Sequence, residues 1–148
     1  MSNAKWLKSR GVSGFDTPDD WLPAHQTLAV MAFPKRPSLE AGDKAAIYIV
    51  GTYKIPAIVE VTDGVLLESD AEMTKDPSRW PYALKTKPLL LVPNLSLAPT
   101  LTDVGIDTLS VRSQSHISLS NEQYNRIVIG LAQAAGVEFQ SVLALANR

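Results

Sequence analysis

Apolar positions along this chain alternate in short runs for most of its length and change to a helical spacing only near the end. Residues 27–33 form a short apolar run closed by Pro34, which suits a buried strand. Residues 34–41 are polar and broken by proline. Gly42-Asp43 then reads as a tight turn into a strand over 45–50. Gly51-Thr52-Tyr53-Lys54 makes a compact loop, and 56–61 is the partner strand. Asp63-Gly64 is a hairpin signal leading into residues 65–67. A polar loop over 68–79 precedes a long strand over 80–87, where Trp80, Tyr82, Leu84 and Thr86 share one face. Ala83, Lys85 and Lys87 share the other. Pro88 cannot donate to a ladder, so it predicts an edge position or a bulge before the chain continues through 89–92.

Residues 93–108 connect with little periodicity. Ser120 with Gln123 three positions on is a capping box, and Leu119 and Tyr124 are placed as its hydrophobic staple. Tyr124, Ile127, Val128 and Leu131 then keep helical spacing until Gly136. A second helix is expected over 139–146. Ahead of all this, residues 1–26 read as an extension without a strand. Thr17-Pro18-Asp19-Asp20 marks one short helical turn there, pinned to the core by Trp21 and Leu22. Together these elements predict an α+β chain of 148 residues forming one domain, a small β-barrel with helices at its C-terminal end.

Composition narrows the chemistry. A net charge of −1 argues against coating nucleic acid by bulk electrostatics, although it leaves room for a local basic pocket. The absence of cysteine removes disulfides, thiolate metal sites and cysteine nucleophiles. With His25 and His116 the only histidines, a metal centre would have to lean on carboxylates, and neither a metal nor a cofactor is expected. No apolar run is long enough to span a bilayer, and no signal-peptide layout opens the chain, so a cytoplasmic setting without membrane contact is expected.

No glycine-rich phosphate loop occurs, and Asp19-Asp20 suit a helix start better than acid–base work, so no catalytic residue is assigned. If residues 110–118 are extended, Arg112, Gln114 and His116 point one way. That row of cation, amide and imidazole can bind a base edge or a phosphate. It can equally be a polar edge strand that ties down the following helix. Trp80 and Tyr82 pose the same choice between core packing and a stacking platform, with Arg79 and Lys85 close by in sequence. Tyr48 is expected inside the barrel with its hydroxyl at the rim.

The run Gly42-Asp43 to Tyr48, the strand ending in Glu60-Val61, and Arg79-Trp80-Pro81-Tyr82 together resemble the PUA-like superfamily, and within it the EVE domains. Residues 110–124 are similar to the segment after the barrel in bacterial EVE-like proteins. The resemblance covers about residues 27–131. The tryptophan-rich opening strand of EVE domains has no clear counterpart in residues 27–33. The resemblance implies a mixed, partly open β-barrel flanked by helices, a fold to which YTH and ASCH domains are related.

The resemblance implies a non-enzymatic module that takes a flipped, methylated or otherwise modified base of DNA or RNA into an aromatic and polar pocket. Trp80 and Tyr82 would stack, Gln114, Ser115 and His116 would read polar edges, and Arg112, Lys85 and Lys87 would meet phosphates. Two other readings stay open. One is a small ASCH-type hydrolase using Lys85, Tyr82 and Glu60. The other is a protein-interaction scaffold, or a homodimer, built on the apolar connection at Leu95, Leu97 and Leu101.

Overall fold

The computed structural model describes residues 3–10, 28–70, 77–92, 95–111 and 116–136. Within them seven strands form one curled, mixed sheet. They are β1 (Lys5–Arg10), β2 (Val30–Phe33), β3 (Lys44–Ile49), β4 (Lys54–Val61), β5 (Leu67–Glu68), β6 (Tyr82–Leu91) and β7 (His116–Ser118). Their order is β2-β6-β4-β3-β1-β7, with β5 also paired to β6. Helix α1 (Asn121–Ala135) follows the sheet, after three short 3-10 turns at Leu95–Leu97, Thr102–Val104 and Thr108–Val111. This is the partly open barrel with a C-terminal helix that the sequence predicts. The helical turn at Thr17 and the second helix over 139–146 fall outside the described residues.

Because side chains alternate across a strand, the sheet builds a core on each face. Inside the curl lie Met31 and Phe33 of β2, Ala45, Ile47 and Ile49 of β3, Ala57, Val59 and Val61 of β4, and Leu84 of β6. The outer face carries Leu7, Ala46, Tyr48 and Ile58, covered by Tyr124, Ile127, Val128 and Leu131 of α1. Tyr48 therefore packs under the helix and not inside the barrel, since Ala45, Ile47 and Ile49 take the inner positions and alternation turns Tyr48 to the other face. Burial raises the Tyr48 hydroxyl pKa.

Residues 1–26 are not simply an extension, because β1 is a full strand running parallel to β3 from Lys5↔Lys44 to Arg10↔Ile49 and antiparallel to β7. Its alternation was hidden because two of its three inward positions are Lys8 and Arg10, which a hydrophobicity pattern reads as solvent-facing. The hairpin expected at Asp63-Gly64 is also absent. Val61 pairs with Thr86, and Leu67 pairs with Ala83 further along the same strand. The chain thus loops out at Gly64 (φ 71°) and resumes along β6 in the same direction. Pro88 does sit at a bulge. Val59 pairs with Pro88 and Ile58 with Leu90, leaving Leu89 as the extra residue. The bulge flips the alternation, so Leu89 and Leu90 both face the helix side and Leu91 returns inward.

Candidate functional site

The two ends of the sheet, β2 and β7, come together along a seam that is closed by side chains. The inward residues of β1 are Trp6, Lys8 and Arg10, opposite in parity to Leu7, which packs toward α1. Lys8 pairs in register with His116 of β7. The His116 ring lies 5.4 Å from Trp6, tilted by 58°, and meets Phe33 of β2 edge-on at 5.1 Å. The Lys8 ammonium stands 5.1 Å from the centre of the Phe33 ring and donates to the Ser9 carbonyl at 2.6 Å. Further along, Arg10 Nη1 donates to the Val30 carbonyl at 2.9 Å.

Asp43 anchors this arrangement from the turn before β3. Its buried carboxylate accepts hydrogen bonds from the amides of Ala4 (3.1 Å) and Glu40 (3.0 Å) and from the Trp6 indole N–H (3.2 Å). One side chain therefore docks the start of β1, closes the turn at Gly42 (φ 89°) and sets the plane of Trp6. The turn is legible in the sequence, but this second use of its aspartate is not.

Electrostatics set the seam apart. Lys8 is only 5 % exposed. Burial, with a smaller contribution from Arg10, brings its pKa down to about 7. Burial also lowers Arg10 to about 10. His116 is lowered by burial and then by Lys8, which favours the neutral imidazole. Its Nδ1 is buried and has no hydrogen-bond partner among the described residues. The rings meet at steep angles, so the half-buried Trp6 offers one aromatic face beside nitrogen donors, which suits a planar ligand presenting acceptors.

The expected site residues divide between the two faces. His116 is in the seam, and Tyr82 turns inward as the partner of Phe33 in register. Trp80 is half-buried just ahead of β6, with the Arg79 guanidinium 4.8 Å over its ring. Lys85 and Lys87 are exposed on the opposite face of β6. Lys87 ends a cross-strand row that runs Lys5, Lys44, Glu60, Lys87 through consecutive registers. In that row Glu60 pairs with Lys44 at 3.7 Å and Lys87 at 3.3 Å. Lys85, Tyr82 and Glu60 therefore do not share a face. Arg112, Gln114 and Ser115 lie outside the described residues. Leu95 and Leu101 of the apolar connection are buried, leaving Leu97 exposed. Among the described residues no three histidine or carboxylate side chains gather to hold a metal, and no helix is long and apolar enough to cross a membrane.

No family model matches the chain, and no curated protein matches it. Solved structures do. A hypothetical protein from Leishmania major aligns over 89% of this chain and 97% of its own, with a TM-score of 0.57 at 18% identity. Protein Atu2648 from Agrobacterium tumefaciens aligns over 86% and 93%, with a TM-score of 0.57 at 14% identity. Human THYN1, solved in complex with 5-methylcytosine-containing DNA, covers 99% of each chain with a TM-score of 0.52 at 10% identity. At these identities the likeness is one of fold, a curled, partly open barrel with a C-terminal helix.

Proposed function

We propose that this chain is an EVE-like, non-enzymatic module that binds nucleic acid by taking a flipped, modified base into the seam between β2 and β7. The observation that carries this reading is the cluster of Trp6, Phe33 and His116 rings with the Lys8 ammonium beside them. Extruding a base costs a few kcal/mol, and stacking on aromatic rings returns about 1–3 kcal/mol per base. Hydrogen bonds to the base edge supply the rest. The 5-methylcytosine-containing DNA held by THYN1 on the same fold supports a methylated base as the kind of ligand.

In this reading Trp6 supplies the stacking face and His116 flanks it, with Tyr82 behind Phe33 and Trp80 at the approach. Gln114 and Ser115, next in sequence to His116, read base edges, and Arg112 meets a phosphate. Lys85 and Lys87, on the outer face, reach only a strand that wraps around β6. The test is fluorescence anisotropy with short labelled DNA and RNA, methylated and unmodified. Wild type is expected to prefer one modified oligonucleotide, and Trp6→Ala to weaken it by about tenfold or more. Equal, salt-sensitive binding to all of them, indifferent to Trp6→Ala, would sink the reading.

A further inference from the structure

We infer that the seam selects a base carrying an anionic, oxygen-bearing substituent, such as a carboxylate on a pyrimidine ring, and that Lys8 is the residue that recognises it. This inference rests on the base-binding reading above and names its ligand class. The argument starts from an imbalance. Lys8 is buried, yet the only described groups that meet its ammonium are the Ser9 carbonyl and the Phe33 ring. An ammonium has three protons to donate, and the carbonyl takes one. Buried cations are ordinarily paired with a carboxylate, because desolvating them alone is expensive.

Every element packed around Lys8 gives the same picture. On β1 itself the neighbouring inward charge is Arg10, a second cation. On β7 the facing group is His116. From β2 comes Phe33, and behind it Tyr82 of β6. The inward residues of β3 are Ala45, Ile47 and Ile49. The described carboxylates on this face are Asp43, already held by the Trp6 indole and two amides, and Glu68 of β5, exposed and in register with Tyr82. Among the described residues the seam is therefore cationic, with no anion of its own beside Lys8.

Such a seam discriminates by charge and not by apolar bulk. A methyl group gains only the burial of its surface, and it would have to be buried beside an ammonium. A ring carboxylate stacked on Trp6, with His116 at its edge, would bring an oxyanion to Lys8, forming a charge-assisted hydrogen bond where the described residues supply no anion. The rings set this apart from a phosphate site, since a phosphate has no planar surface to stack. The lowered Lys8 pKa adds a signature: a ligand that needs the ammonium must bind together with a proton once the free amine is neutral.

The experiment compares oligonucleotides of one sequence containing 5-carboxycytosine, 5-methylcytosine or cytosine, titrated at pH 6.5 and pH 8.5 at constant salt. The carboxylated oligonucleotide is expected to bind about tenfold or more tighter than the methylated one at pH 6.5. That advantage should shrink by up to about tenfold per pH unit above 7, while methylated binding stays flat. Lys8→Met should bring the carboxyl-to-methyl ratio to about one. Should the methylated oligonucleotide bind as well or better at both pH values, the inference is overturned while the base-binding reading stands. No binding to any of the three overturns both. A carboxyl preference that inorganic phosphate abolishes by competition, and that Trp6→Ala leaves untouched, also overturns the inference, because the seam would then be a plain anion site. If Lys8→Met does not fold, the wild-type pH dependence alone decides.

Discussion

Two side chains, Asp43 and Lys8, explain most of how the seam is held and what it costs. Asp43 satisfies three donors at once, two of them backbone amides that fix where β1 begins. Asp43→Ala strands those donors in a buried site, and we expect a loss of about 3 kcal/mol in urea unfolding, with a shift in Trp6 fluorescence. A change under about 1 kcal/mol would mean that the turn holds without its carboxylate.

Lys8 works in the other direction. Its pKa is about 7 in the fold against an ordinary 10.5, so between those values the unfolded chain holds a proton that the folded chain has released. Stability therefore rises with pH through that window, by at most about 1.4 kcal/mol per pH unit, and the burden of the buried cation is fully felt below 7. Lys8→Met should raise the melting temperature, and more at pH 6 than at pH 9. An equal gain at both would show that charge is not the cause. Neither role was legible in the sequence. A lysine two residues from a tryptophan reads as solvent-facing, and only the pairing of β1 between β3 and β7 turns it inward.

At the scale of elements, legibility followed chemistry that is local. The start of α1 needed nothing beyond its own residues. The Ser120 hydroxyl accepts from the Gln123 amide at 3.1 Å, and the Gln123 side chain accepts from the Ser120 amide at 3.0 Å. Gly136 closes the helix in the left-handed conformation at φ 71°. Ser120→Ala is expected to cost about 1 kcal/mol, read by thermal or urea unfolding, with the end of α1 fraying first. No loss would mean that tertiary packing alone holds the helix start. Proline chemistry was equally local, and Pro88 marks its bulge whatever lies beyond it. Pairings decided at a distance stayed hidden. Asp63-Gly64 has the residues of a hairpin, but β6 is long enough to pair with both β4 and β5, and that turns the hairpin into a loop-out. In the same way β1 acquires its identity as a strand from β3 and β7, not from its own composition.

For the molecule as a whole, the seam is where the barrel is least like a barrel. Everywhere else neighbouring strands share backbone ladders, whereas β2 and β7 face each other through Phe33 on His116 and, beside them, Arg10 on the Val30 carbonyl. Ring contacts of this kind are worth about 0.5–1.5 kcal/mol each, less than the ladders around them. The seam should therefore open before the sheet or the helix-side core unfolds. His116→Ala is expected to speed amide exchange in β2 and β7 by about tenfold while α1 and β3 keep their protection. A uniform acceleration across all four would show that the barrel opens only as one unit. The general architecture could be read from the strands of the middle of the chain. The candidate site could be read only at His116 and Tyr82, because Trp6 and Lys8 lie on a strand that is defined by its distant partners β3 and β7.

That last arrangement carries a consequence for how the protein comes into being. Lys8 belongs to the first of the described strands to leave the ribosome, and its partner His116 to the last. Contacts so far apart in sequence are slow to form, since the intervening chain must first be brought to order. Until translation has passed Ser118, β1 has no antiparallel partner and the histidine face of the seam does not exist. A growing chain can gather its inner core around β3, β4 and β6 well before then. The seam is thus missing from every unfinished copy and forms only as the barrel closes.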